Sequence, residues 1–324
     1  MLYEFAITPD VFDPSVHETN PVLGVTVVEL LRGICDNGLI ANLHKEAWSK
    51  HVRENRINEL PQGLKDKIIA CLEMLDKRQR LVRHPRGIVS DPPTDQDWLT
   101  LALNSHDLLA FHGIVLSEPL LRAARCAGSH FLELSNVLDS PQWLERRRSL
   151  PLQKTEKDYR QALAPILSYA KSVTLVDPYF NAQDAKYTDM LRLCSDLTGK
   201  RRHERARGRI DIHADITKQK PESADETGIV NLWRNVIQPL VAQDGHRFRV
   251  FLWRSRAGGR AFHDRYLFTS QCAISMPHGL DIEQRRTPSL TTWSLLDEDV
   301  HLKSLEDYDP ATSPFDLIAD CEMT

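Results

Sequence analysis

The stretch SVTLVDPYF, residues 172–180, decides how the second half of the chain is read. Its aliphatic run stops at Pro178, which predicts a short buried strand ended by a turn. On the amino-terminal side, Tyr159, Leu163, Ile166, Leu167 and Ala170 recur at helical spacing. On the carboxyl-terminal side, Tyr187, Met190, Leu191, Cys194 and Leu197 do the same. RIDIHADI then alternates, with Ile210, Ile212 and Ala214 on one face and Asp211, His213 and Asp215 on the other. A helix through Val230, Trp233, Ile237 and Leu240 follows, and then the strand-like runs FRVFLW, FHDRYLFT, CAISM and TTWSLL. Strand and helix in alternation, then several strands, is an α/β pattern, and its polar residues should gather at the carboxyl ends of the strands.

One of those runs carries chemistry. In GGRAFHDRYLFTS, residues 258–270, a strand is expected to carry His263 and Arg265 on one face and Asp264 on the other. An imidazole and a guanidinium side by side suit a phosphate. Histidine can attack phosphorus or donate to a leaving oxygen, and arginine can hold two non-bridging oxygens at once. Gly258 and Gly259 let a loop approach closely. His213 and His278, the latter in the turn MPHGLD, are further histidines to weigh.

Three short motifs in order resemble the phospholipase-D-like module, in the variant at the carboxyl end of MIT-domain proteins and their bacterial relatives. They are Asp177-Pro178-Tyr179, then His263-Asp264-Arg265, then Gly279-Leu280-Asp281. The resemblance covers residues 155–300. It implies a mixed β-sheet flanked by helices, with His263 and Arg265 at the phosphate, Asp177 and Asp281 orienting them, and no metal or other cofactor. Arg265 stands where the wider superfamily has lysine, and Ser270 where it has an aspartate seven residues after the histidine. The motif also occurs once, whereas an active site of that superfamily needs two histidines. The resemblance therefore implies either a phosphodiesterase or nuclease completed by a homodimer, or a module that binds phosphate or nucleic acid without cleaving it and recruits a partner. Anti-phage defence is the setting that such bacterial domains imply.

Basic residues cluster in the same half. Lys200, Arg201, Arg202, Arg205 and Arg207 crowd GKRRHERARGR, a loop position, and Arg254, Arg256 and Arg260 lead into His263. Since the net charge is −4, binding of DNA or RNA would rest on such local patches.

The first half, residues 1–150, reads as a largely helical domain, α or α/β, after a first strand, LYEFAI. Val27, Leu30, Leu31 and Ile34 form one helical face, ended at Asn37-Gly38, and Ile68, Ile69, Leu72 and Leu75 form another. TDQDWLTLALNSHDLLAF opens with a capping Thr94 or Asp95, and GIVLS is a short strand. This half is similar to PIN-like nuclease domains, which implies metal binding through Asp10, Glu46, Asp97 and Glu118. The charged run ERRRSLPLQKTEKD, broken by Pro151, reads as a linker to the second domain, 151–324.

The remaining features set bounds. A chain of 324 residues predicts two domains. The six cysteines are scattered with no CxxC pair, which argues against a zinc site or a disulfide framework. MLYEFAITPD has no basic flank and no long apolar run, so no signal peptide is expected, and no stretch is apolar enough for a membrane span. The expected location is cytoplasmic.

Overall fold

The computed structural model describes residues 1–84, 93–108, 110–201, 208–219 and 225–323. The chain divides into two compact units, Met1–Arg148 and Ser149–Thr324. Both are α/β.

The first unit is built on a five-stranded parallel sheet. Its strands are β1 (Tyr3–Ile7), β2 (Gly38–Asn42), β3 (Leu81–Arg83), β4 (Gly113–Leu116) and β5 (Phe131–Glu133), in the order β3-β2-β1-β4-β5. The helices Val22–Asn37, Gln62–Lys77 and Asp95–Leu108 bury one face each in the core that contains Phe5, Ile7, Leu30, Ile68, Leu72 and Trp98. This half is largely helical, as expected, and the parallel sheet makes it α/β rather than all-α. β2 starts at the Gly38 that ends the preceding helix, and β3 and β5 have three residues each. Strands that short show no period.

The second unit carries an eight-stranded mixed sheet. β6 (Ser149–Gln153), β7 (Ser172–Val176), β8 (Arg209–Asp215), β9 (Arg247–Arg254), β10 (Tyr266–Thr269), β11 (Ala273–Ser275), β12 (Leu290–Leu295) and β13 (Asp316–Met323) take the order β13-β9-β8-β7-β10-β11-β12-β6. β7, β8 and β9 run parallel, and the other pairings are antiparallel. The helices Glu156–Leu167, Ala185–Leu197 and Glu226–Asp244 carry buried stripes close to those the sequence marks, except that Ile229 is buried in place of Val230 and Ala170 lies beyond the first helix. Trp233, Trp253 and Trp293 are fully buried, and large aromatic side chains dominate the burial energy of such cores.

Two readings change here, the linker and the start of β10. The charged linker contributes β6, which pairs with β12, with Pro151 opposite Thr292. Proline is tolerated because β6 is an edge strand. The acidic carboxyl terminus forms the other edge, β13, whose Asp316, Asp320 and Glu322 discourage pairing with another chain. β10 begins at Tyr266, so His263 and Arg265 precede the strand, and its alternation does not set their directions.

The face of β8 that reads as polar is also covered. Asp211, His213 and Asp215 are buried, because a central parallel strand is packed on both sides. The His213 ring stacks on Phe251 and Trp253, and its Nδ1 accepts a hydrogen bond from Trp253 Nε1 at 2.9 Å. Burial, with Arg209 and Arg249 nearby, lowers its pKa to about 3. An unfolded histidine takes a proton near pH 6.5, so stability should fall as the pH drops from there towards 3. The slope is about 1.4 kcal/mol per pH unit. His213→Gln removes this titration. Between pH 7 and 5 it should lose about 2 kcal/mol less stability than the wild type in urea unfolding. Parallel loss in both proteins would contradict this account.

Candidate functional site

In the second unit, Asp177 ends β7, and its backbone N–H reaches the carbonyl of His213 at 3.1 Å. Its side chain is fully buried. Oδ1 accepts from the Tyr179 N–H at 2.9 Å and Oδ2 from the Leu280 N–H at 3.1 Å. Arg265 Nε lies 3.3 Å from Oδ1, while Arg265 Nη1 donates to the Pro277 carbonyl at 2.7 Å. Burial raises the Asp177 pKa, and the two amides and Arg265 work against that.

Beside it, Asp281 pairs with Lys154, which is itself buried and also donates to the His278 carbonyl at 2.8 Å. Lys186 approaches Asp281 at 3.8 Å and Asp184 at 3.5 Å. Gly279 lies between the two buried carboxylates. A Cβ there would stand 3.0 Å from Asp281 Oδ1 and 3.1 Å from Asp177 Oδ2, and φ is +90°. Only glycine meets both conditions without strain.

This scaffold floors a cavity of about 630 Å³, within the usual range for ligand sites. Arg265, Lys186, Lys218, His278, Tyr179 and Gln183 are among its lining residues. Lys218 sits on the short turn after β8. Buried Gln219 ties that turn to the Phe180 and Asp215 carbonyls at 2.9 and 3.0 Å, and Trp233 Nε1 donates to Gln219 Oε1 at 3.2 Å. Lys218 has no carboxylate partner among the described residues, and its ammonium stands 5.7 Å from the Tyr179 ring. The helix Ala185–Leu197 starts at the cavity wall, where its N-cap Asp184 accepts from the Lys186 N–H at 3.3 Å and places one carboxylate among the lining residues.

The structure thus brings Arg265, Asp177 and Asp281 together. His263 is exposed and is not part of the cavity wall, whereas His278 is. His278 Nδ1 lies 3.4 Å from the Thr291 hydroxyl. Lys154 was hidden in the charged run, and neither Lys186 nor Lys218 belongs to a motif.

The basic segments are partly paired. Arg256 engages Asp316, Arg260 engages Asp264 and Asp307, and Lys200 engages Asp196. Arg201 lies over Tyr169 at 5.5 Å, and Arg254 is exposed. Arg202, Arg205 and Arg207 lie outside the described residues.

In the first unit, the four expected metal ligands do not converge. Asp97 caps Thr94, Glu118 pairs with Arg122, and Glu46 lies 3.9 Å from Arg83. Asp10 is buried. Its Oδ2 accepts from the Ser117 N–H at 2.9 Å, and Oδ1 has no partner among the described residues. The carboxylates near it are Asp13 and Asp95, which share Arg56, with Asp13 at 2.6 Å. Burial, with Asp10 and Asp13 nearby, outweighs Arg56 and raises the Asp95 pKa. The guanidinium supplies the positive charge of this cluster, and no group of three acids, histidines or cysteines among the described residues could hold a metal. The residues do not fit the metal site that the PIN-like resemblance implies.

No family model and no curated protein matches the chain. Among solved structures it aligns with TrmBL2, an archaeal chromatin protein described as showing a novel mode of DNA binding. The alignment covers 80% of this chain and 84% of that one, at 11% identity and a TM-score of 0.28. A likeness that low assigns neither a fold family nor a ligand. No helix among the described residues is long and apolar enough to cross a membrane.

Proposed function

We propose that the second unit is a phosphate-recognition domain for nucleic acid, a phospholipase-D-like scaffold that holds a phosphodiester in the Lys186–Lys218–Arg265 cavity. The observation that carries this reading is the distribution of charge. Asp177 and Asp281 are buried under the cavity and matched by Arg265 and Lys154, which leaves Lys218 directed at the cavity without a carboxylate partner among the described residues. Cations fixed in a concave surface recognise phosphate oxygens.

Holding has more support than cleaving. A histidine that attacks phosphorus needs a group to orient it, and among the described residues the partner of the His278 ring is the Thr291 hydroxyl. His263, the residue of the motif, is exposed away from the cavity wall. For cleavage, His278 is the histidine that shares a cavity with Arg265.

Binding of a labelled oligonucleotide, followed by anisotropy over a range of salt, tests the reading. Lys218→Ala should weaken binding and lower the salt slope by about one unit. A slope and affinity equal to wild type would remove Lys218 from the interface and the proposal with it.

A further inference from the structure

Tyr179 stands out at this cavity. It is 44% exposed, while every other Phe, Trp and Tyr among the described residues is at least partly buried. The backbone that carries the ring is anchored, since the Tyr179 N–H donates to Asp177 and the Asp215 N–H to the Pro178 carbonyl. The Arg265 guanidinium lies 5.1 Å from the ring centre and the Lys218 ammonium 5.7 Å from it. Gln183, exposed on the same wall, has no side-chain hydrogen bond among the described residues. An exposed aromatic ring on an anchored turn, cations one side chain's reach away, and a carboxamide with donor and acceptor both open are three different recognition elements.

From this juxtaposition we infer that the cavity takes one unpaired nucleotide of a single strand. Its base lies on Tyr179, its edge meets Gln183, and its phosphate sits between Lys218 and Arg265. The inference rests on the phosphate reading above and narrows it. A phosphate alone would use the cations that lie over the ring and leave the exposed part of the ring uncovered. A duplex keeps its bases stacked on one another, so it cannot offer a face to Tyr179. Base–aromatic stacking tolerates any base, because each has a π-face, so discrimination should be between strand states more than between sequences.

Three ligands of equal length separate the outcomes with the full chain: a single-stranded oligonucleotide, an abasic strand of the same charge that keeps sugar and phosphate, and the duplex, whose second strand doubles the phosphate charge. The wild type should bind the single strand about tenfold tighter than either of the others. Tyr179→Ala should bring the single strand down to the abasic level and leave duplex binding unchanged. Tyr179→Phe, which keeps the ring, should behave as wild type and serve as the control for folding. If the abasic strand binds wild type as well as the normal strand does, the base has no platform and the inference fails, while the phosphate reading stands. If Lys218→Ala changes none of the three affinities, the phosphate reading fails first. Tighter binding to phosphatidylcholine vesicles doped with a phosphoinositide than to the single strand, again lost in Tyr179→Ala, would assign the ring to a lipid headgroup and overturn the inference.

Discussion

Arg265→Met should destabilise the second unit by about 3–5 kcal/mol at neutral pH. The reason is the burial of Asp177. That carboxylate is fully shielded from water, its pKa is already raised by burial, and Arg265 is the cation beside it. Methionine replaces the stem of the side chain but not its charge. The Asp177 pKa then rises further, so the deficit should shrink as the pH falls through that value and Asp177 takes up a proton. The double variant Arg265→Met with Asp177→Asn should recover much of the loss, because no buried charge is left unmatched. Denaturant unfolding of the full chain measures the total, and exchange protection of the β7 and β10 amides assigns it to this unit. A loss that is the same at pH 7 and pH 4 would mean that the arginine acts through packing.

Gly279→Val should be comparably severe, at about 3 kcal/mol or more. A β-branched residue at φ +90° is strained by roughly 1–3 kcal/mol, and its Cβ meets the Asp177 and Asp281 oxygens. Gly258 supplies the comparison. Its φ is +72°, but nothing lies within 4 Å of the added carbon. Gly258→Ala should therefore show only the left-handed penalty of about 1–2 kcal/mol. Equal losses at the two positions would show that backbone conformation, and not the carboxylate pair, sets the requirement at Gly279.

Much of the second unit was legible because its helices are long enough to repeat their stripes. All five residues of the 187–197 stripe are buried. The same argument fails where elements are short. β3 and β5 are invisible to periodicity, and Pro151 and the charges around it disguise β6 as a connection. Of the candidate site, Asp177, Arg265 and Asp281 belong to motifs, since they are chemically distinctive and precede or follow strands. Strand alternation misplaced His263, because it was applied three residues before β10 begins. Lys154, Lys186 and Lys218 arrive from three separate elements, and only the folded chain relates them. In the first unit, the acids were chosen by their positions along the sequence. The cation that organises Asp13 and Asp95 is Arg56, which comes from a single helical turn of the π type, Val52–Arg56.

β6 also determines where this domain can be cut. Lys154 follows its last residue, and the pairing of β6 with β12 delivers that ammonium to Asp281 beneath the cavity. A register slip of two residues would keep every side chain on its face and still carry Lys154 about 7 Å along the sheet edge. A fragment begun at Thr155 would lose one edge strand and, with it, the buried ammonium paired with Asp281, leaving Lys186 at 3.8 Å. The stretch that looks most like a dispensable tether is therefore part of the electrostatic foundation of the cavity, and a fragment intended to bind ligand has to begin at or before Ser149.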